Sequence, residues 1–239
     1  MKLSILIPAY NEEILIKRTL ESIKKTLYDL KFYSFEIIVC DNNSDDATTE
    51  IVESSGARVV KEKYNQISKA RNTAAKAALG EWFIFIDADT LPTKDLLSQT
   101  LENLKSGKIC GGGATVSFDN ASPSLFLTLL LMLWNTVSCT LKLAAGSYIY
   151  CLREVWEETG GFSEKVYAGE ELLFSREMKK WGKKHNKNFK IIKGCPVRTS
   201  DRKMKWFTLK THLKQVLILF LPGSFAKRKN CFFWYSRPK

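Results

Sequence analysis

The sequence predicts an α/β fold: a mostly parallel central sheet flanked by helices, followed by a basic amphipathic C-terminal extension. Three observations predict it. Short apolar runs alternate with segments of helical periodicity at the spacing of βαβ units. Acidic residues stand where those runs end, and the positive charge of the chain is gathered beyond Arg198.

The elements follow in order. LSILIPAY, residues 3–10, is a short apolar run ended by proline, a buried strand entering a loop. Leu15, Leu20, Ile23, Leu27 and Leu30 lie at helical spacing within 12–30. FEIIVCD at 35–41 is a second strand, closed by an acid. SDDATTEIVESSG at 44–56 reads as a helix capped by Ser44 or Asp45, with Ile51 and Val52 turned inward and Gly56 as its stop. ARVVKE is a third strand, QISKARNTAAKAAL at 66–79 an alanine-rich helix stopped by Gly80, and WFIFIDAD a fourth strand. Near-continuous apolar strands of this kind are covered on both faces. Gly111-Gly112-Gly113 reads as a turn after a further strand, either plainly flexible or open to a ligand. Gly160-Gly161 reads as a tight turn before a helix.

At 239 residues, with 45% hydrophobic and 26% charged, the chain has material for a real core, and the disordered and fibrous classes are excluded. The opening MKLSILIPAYNEE has too short an apolar run for a signal peptide and is expected to belong to the fold. Six scattered cysteines form no CxxC pair and complete no zinc pattern with His185 and His212, so reduced core thiols are expected. Of the net charge of +12, the stretch from Arg198 to Lys239 carries +10. The partner of that charge is an anionic membrane surface, a diphosphate or nucleic acid.

Residues 124–145, SLFLTLLLMLWNTVSCTLKLAA, are strongly apolar but are broken by Thr128, Asn135, Thr136, Ser138, Thr140 and Lys142. The run falls below the roughly 20 residues that span a bilayer, and a buried or interfacial helix is expected. The stretch from Trp206, WFTLKTHLKQVLILFLP, pairs an apolar face with Lys210 and Lys214, and FAKRKNCFFWYSRPK mixes aromatics with cations. Segments of this type lie in the membrane interface rather than cross it.

The chemistry is expected at the strand ends. In open α/β sheets a ligand binds beyond the carboxyl ends of the strands, where the loops 8–12, 41–46 and 87–89 would converge. Asp87-Ala88-Asp89 places two carboxylates one residue apart at such an end. They suit a hard divalent cation with positions left for phosphate oxygens, while a solvated turn with Asp89 capping a following helix is the plainer alternative.

PAYNEE at 8–13, VCDNNSDDAT at 39–48, KARN at 69–72 and DADT at 87–90 stand in the order and spacing of family 2 glycosyltransferases, which have the GT-A nucleotide-diphospho-sugar transferase fold. GSYIYCLREVWEETGGF at 146–162 resembles the acceptor-side segment of that family, and GEELLFSREMKKWGKK at 169–184 its Glu-Asp-type helix; the resemblance covers residues 1 to about 200. It implies that Pro8, Ala9, Tyr10, Asn11 and Glu12 form the loop under the nucleotide's base and ribose. Asp41 would accept from the base, with Asn43 and Ser44 beside it, and Lys69 and Arg71 would sit close to the donor. Asp87, Ala88 and Asp89 would contact ribose and a divalent metal, Mn or Mg, with His212 as a further ligand. An inverting transfer needs a carboxylate to take the acceptor's proton. Either Glu170 or Glu171 meets that need; position matching favours Glu171, where the family usually has Asp. The Arg198–Lys203 loop, Arg202 above all, would close over the diphosphate or form a membrane-facing patch.

The sequence thus leads one to expect an inverting, metal-dependent transferase of a UDP- or GDP-sugar, acting on a hydroxyl or phosphate acceptor. A polyprenyl-linked or glycolipid acceptor at the cytoplasmic membrane face fits the apolar and basic segments. Residues 1–200 would be the transferase domain, 1–110 its donor half and 111–200 its acceptor half, with 201–239 an extension. A nucleotidyltransferase would carry a glycine-rich cationic loop where PAYNEE stands, and a pseudoenzyme is kept open by Glu171 in place of Asp. A nucleic-acid-binding module would rest on the tail alone; no recognition motif accompanies it, and no nucleic-acid partner is expected.

Overall fold

A computed structural model describes residues 2–119, 125–202 and 223–235. Strands β1 (Leu3–Ala9), β2 (Phe35–Asp41), β3 (Arg58–Lys61), β4 (Trp82–Ile86), β5 (Thr90–Leu91), β6 (Ile109–Phe118), β7 (Tyr148–Leu152) and β8 (Asn188–Thr199) make one sheet in the order β3-β2-β1-β4-β7-β6-β8-β5. The β3-β2-β1-β4 half is parallel throughout, as its unbroken apolar runs require. Beyond it β7 runs antiparallel to both β4 and β6, and β8 returns parallel to β6.

The first half positions the site. Ala9 lies opposite Asp41, and Asp41 opposite Lys61, so β1, β2 and β3 finish level and their loops open together. β1, β2 and β4 are rich in Leu, Ile, Val and Phe and buried almost throughout, while the edge strand β3 is half-exposed. Phe83 and Phe85, two residues apart and therefore on one face, meet Trp156 and the Phe162–Phe174 pair. Helices α1 (Ile16–Asp29), α2 (Thr48–Ser54), α3 (Ile67–Ala77), α4 (Lys94–Lys105), α5 (Leu125–Leu141), α6 (Arg153–Thr159) and α7 (Glu170–Lys184) surround the sheet. Adjacent residues of a strand point to opposite faces. Gly111 of β6 looks at Met178 of α7, while its neighbour Gly112 looks at Tyr150, whose hydroxyl accepts from Asn103 of α4. Helices α7 and α4 therefore cover opposite faces.

Four local expectations are corrected. Neither Ser44 nor Asp45 caps α2; the Asp46 carboxylate accepts from the Thr48 amide at 2.9 Å, because Ser44 and Asp45 are drawn to Asn11. Helix α3 ends at Ala77, three residues before Gly80, where Ala78 is already extended. Gly111-Gly112-Gly113 is no turn but the middle of β6, where bare backbone lets β7 and β8 close in. Thr93, and not Asp89, caps α4, its hydroxyl accepting from the Leu96 amide at 3.2 Å. The cysteines among the described residues are free, and burial pushes the Cys40 thiol up to about 12 and Cys110 to about 11, as expected of core thiols.

A methyl group on Gly112 would run into the Lys190 carbonyl of β8. Gly112→Ala is expected to lower unfolding free energy by about 3 kcal/mol in denaturant titration, through forced separation of β6 and β8. An unchanged midpoint would contradict that packing.

Candidate active site

The loops after β1 and β2 are stitched to each other by side chains. The Ser44 hydroxyl accepts from the Asn11 amide at 2.9 Å, the Thr48 hydroxyl from the Glu12 amide at 2.8 Å, and Asp46 from the Glu13 amide at 3.1 Å. Asn11 and Asn43 are both left-handed, at φ 52° and 71°, a conformation asparagine tolerates. Asp41 is buried and turns its carboxylate onto the Ser44 amide at 3.0 Å, closing the loop on itself. The structure therefore brings together Pro8 to Glu12 with Asp41, Asn43 and Ser44.

Arg202 joins them from the far end of the chain, its Nη2 donating to Glu12 Oε2 at 2.6 Å. Asp89 is reached from the same side: Thr199 Oγ1 donates to its carboxylate at 3.5 Å, and the Ser200 amide to its carbonyl at 3.2 Å. Beside it is a cleft of about 190 Å³ lined by Arg18, Thr19, Asp89, Asp119, Ser200 and Asp201 among others. Ala88 is held by the Thr19 hydroxyl, which donates to its carbonyl at 2.8 Å.

Arg71 is the largest fully buried side chain. From α3 its Nη2 donates to Asp87 Oδ1 at 3.0 Å and to the Gly146 carbonyl at 2.8 Å, while Nη1 donates to Glu170 Oε1 at 2.7 Å. The guanidinium lies 5.2 Å from the Phe162 ring centroid. Burial works against its charge, but Asp87, Glu170 and Glu171 outweigh burial and leave Arg71 above its ordinary value. Lys69 lies beside the 62–66 loop, 4.3 Å from the Tyr64 ring centroid and 4.0 Å from Glu164.

Glu170 and Glu171 open α7 side by side, yet their surroundings differ. Glu170 is 3% exposed and tied to Arg71, and burial pushes it up against that guanidinium's pull. Glu171 makes no side-chain hydrogen bond or ion pair among the described residues. Its carboxyl lies 3.7 Å from where a Cβ on Gly146 would stand. Burial, and then the neighbouring Glu170 charge, push it up to about 8. One guanidinium thus pairs with two carboxylates, Asp87 and Glu170, with the unpaired Glu171 carboxyl beside them. Gly169, with φ 73°, makes the sharp entry into α7 against the Phe225 ring.

Sequence reasoning missed several positioning residues. Asn42 binds the carbonyls of Glu62 and Tyr64 and the Gln66 amide, holding the 62–66 loop to the end of β2. Asn72, the last letter of KARN, donates to the Phe162 carbonyl at 2.8 Å and accepts the Phe162 amide at 3.0 Å, fixing the glycine turn. Its place beside Arg71 was the available signal. The 223–235 segment also reaches this region: the Phe225 carbonyl accepts from the Tyr167 amide, and the Tyr235 hydroxyl from the Ile67 amide. His212 lies outside the described residues. No group of three or more His, Cys, Asp or Glu able to hold a metal occurs among the described residues. Asp87 and Asp89 would therefore supply one or two carboxylates, the set with which a hard cation is completed by substrate phosphate and water.

Residues 4–149 match the profile of the family described as Glycosyl transferase family 2. A Staphylococcus aureus poly(ribitol-phosphate) β-N-acetylglucosaminyltransferase, TarS, is 36% identical over 104 residues, 41% of this chain and 18% of its own length. The Escherichia coli UDP-Glc:α-D-GlcNAc-diphosphoundecaprenol β-1,3-glucosyltransferase WfgD is 37% identical over 93 residues, 37% of this chain and 35% of its own. The matches thus span about a third of these relatives' length at most. Among solved structures, the TarS 1–349 complex with UDP-GlcNAc covers 97% of this chain and 75% of that one, at 21% identity and TM-score 0.64. The mannosyltransferase PcManGT from Pyrobaculum calidifontis, in complex with GDP-Man and Mn2+, covers 91% and 62% at 22% identity and TM-score 0.67. The fold is of the GT-A type.

A carboxyl raised from an ordinary 4.5 to about 8 keeps its proton in the folded state where the unfolded chain has lost it. Between those values the folded form binds more protons, so Glu171 makes stability fall as pH rises through that window. Glu171→Gln is expected to leave unfolding free energy unchanged below pH 4.5 and to raise it at pH 8 by on the order of a few kcal/mol. Denaturation curves at the two pH values check this; equal shifts at both would place Glu171 in solvent.

Proposed function

The chain belongs to glycosyl transferase family 2, and from that premise we propose that it transfers a sugar, with inversion, from a UDP- or GDP-sugar to a hydroxyl or phosphate acceptor. The observation that carries the reading is the convergence of Asp87 and Asp89, the 8–13 and 41–48 loops, Arg71 and a free Glu171 at one end of the sheet. In the complexes of TarS with UDP-GlcNAc and of PcManGT with GDP-Man and Mn2+, folds of this type hold nucleotide sugars, which supports a donor of that class.

Pro8, Ala9, Tyr10, Asn11 and Glu12 form the floor for base and ribose, with Asp41, Asn43 and Ser44 at its side. Arg202, held over Glu12, supplies positive charge toward the diphosphate. Lys69 flanks the donor from the 62–66 side. Asp87 and Asp89 would hold the divalent ion, and His212 of the tail would be a further ligand. When bound, the ion supplies positive charge to the departing diphosphate. The excess of carboxylate over guanidinium in the cluster suits such a cation.

Glu171 is the general base. It accepts the proton of the acceptor hydroxyl as that oxygen bonds to the anomeric carbon and the bond from that carbon to phosphate breaks, releasing the nucleoside diphosphate. Glu170, committed to Arg71, positions rather than reacts, and serves as base only if Glu171 does not. Residues 1–110 act as the donor half and 111–200 as the acceptor half, with 201–239 as an extension. WfgD, by its name, glucosylates a diphosphoundecaprenol-linked sugar, which supports a polyprenyl-linked or glycolipid acceptor met at the cytoplasmic membrane face. Among the described residues no helix is long and apolar enough to cross a membrane, and a peripheral attachment agrees with that.

Release of UDP or GDP from a panel of nucleotide sugars, with Mn²⁺ or Mg²⁺, tests the proposal. Asp89→Ala is expected to abolish turnover. Glu171→Gln should keep donor affinity while losing roughly 10²- to 10⁴-fold in kcat. In the parent, kcat/KM should climb through pH about 8 as Glu171 ionises. Full activity of Glu171→Gln would move the base to Glu170, and no release from any donor would sink the transferase reading.

A further inference from the structure

We propose that the outward face of α5, rimmed by Lys142, Arg176 and Lys179, docks the protein on an anionic lipid surface and presents a lipid-borne acceptor to Glu171. The acceptor half of this statement rests on the transferase reading; the docking half does not.

Helix α5 contains no charged residue in 17 positions, although a quarter of the chain is charged. Its inner face is fixed to the globule. Asn135 donates to the Val116 carbonyl at 2.8 Å and accepts the Val116 amide at 2.9 Å, and Ser138 donates to the Leu143 carbonyl at 2.7 Å. Leu131 and Trp134 pack on the core. The helix therefore lies along the surface of the fold, and its outer stripe of Leu125, Leu129, Met132 and Leu133 is 57–75% exposed, with Leu130 and Leu141 at its flank. These residues recur at helical spacing, one above another. Thr136, in the same stripe, sends its hydroxyl back to the Met132 carbonyl at 2.8 Å, so it asks little of water.

A stripe this apolar on an exposed, convex helix needs a cover, and the charge beside it selects one. Lys142 follows the helix directly. Lys179 of α7 donates to the Leu141 carbonyl at 2.8 Å, and Arg176 stands one turn earlier on α7. No carboxylate pairs with any of the three among the described residues. Lys179 is held below its ordinary value by burial and then by the charges of Arg176 and Lys142. An apolar stripe with a cationic rim matches the boundary between acyl chains and anionic headgroups. A second copy of the chain would bring the same cations and another +12 against the first.

The docking face is also close to the chemistry. Four residues beyond Lys142 comes Gly146, which lies against Arg71 and Glu171, and the Ala144 amide on the way is held by Ser175 of α7 at 3.0 Å. Four residues of chain reach at most about 14 Å. A membrane in contact with Lys142 therefore brings its headgroups within a sugar or two of the base.

The test is sedimentation of the whole chain with vesicles of phosphatidylcholine, alone or mixed with phosphatidylglycerol, alongside calorimetric UDP binding. The parent should bind the mixed vesicles and release them as salt rises. Met132→Glu with Leu133→Glu should cut partition tenfold or more, and Lys142→Gln and Arg176→Gln roughly fivefold each on anionic vesicles only. UDP affinity should stay at the parent value throughout, which excludes misfolding as the cause. Variants that bind vesicles like the parent would assign attachment to the tail and overturn the proposal. So would a change from dimer to monomer on Met132→Glu with Leu133→Glu, which would give the face to a second copy. Vesicle binding without donor turnover would sink only the transferase reading, and turnover without vesicle binding only the docking one.

Discussion

A guanidinium sealed from water has to be met by carboxylates, and Arg71 is met by two that arrive from different parts of the chain. Asp87 comes from the end of β4 and Glu170 from the start of α7, while the Gly146 carbonyl comes from the stretch before β7. Breaking a buried pair of this kind leaves an uncompensated charge and costs on the order of 3–5 kcal/mol. The three elements are therefore held in an arrangement that none can leave without stranding a buried charge or polar group. That arrangement also fixes Asp87, and with it the path of the chain to Asp89, in front of the loops that follow β1 and β2.

The same guanidinium separates two glutamates that are chemically equivalent in the sequence and that only position matching ranks. Successive residues on a helix point about 100° apart, so only one of Glu170 and Glu171 can face Arg71 from the first turn of α7. Glu170 does so and is spent on it. Glu171 is left partly buried, beside a like charge and without a cation of its own, the setting that raises a carboxyl's affinity for protons. A base is useful when its proton affinity lies near the working pH. The Glu171 side chain reaches Gly146, where an added Cβ would stand 3.2 Å from Arg71 Nη2 and 3.7 Å from the Glu171 carboxyl carbon.

The half of the fold that was legible is the half whose strands are buried on both faces. There the apolar runs are continuous and each ends in a polar or acidic loop, so strand, strand end and site are written side by side. Legibility stopped where a residue's role depends on distant partners. Arg71 looks like any helix cation in KARN, and only the folded chain shows that carboxylates 16 and 99 positions away converge on it. Ser44 and Asp45 satisfy the local rule for a cap, but Asn11, 33 and 34 positions off, claims them and leaves Asp46 to accept from the first helical amide, that of Thr48. The three glycines of β6 carry the composition of a turn; they are there because β7 and β8 both need the space.

An enzyme joining a water-soluble donor to a lipid-borne acceptor must keep one side of its site in solvent and bring the other to a membrane. If the chain acts as proposed, those sides are built from different materials. The donor side consists of short polar loops tied by hydrogen bonds at strand ends, among them Asn11, Ser44 and Thr48. The other side consists of an uncharged helix pinned by Asn135 to β6, from which the chain runs on, through Ala144, to Gly146 beside Glu171. Since α5 is anchored by its polar residues, its apolar ones are free to face outward without loosening the core.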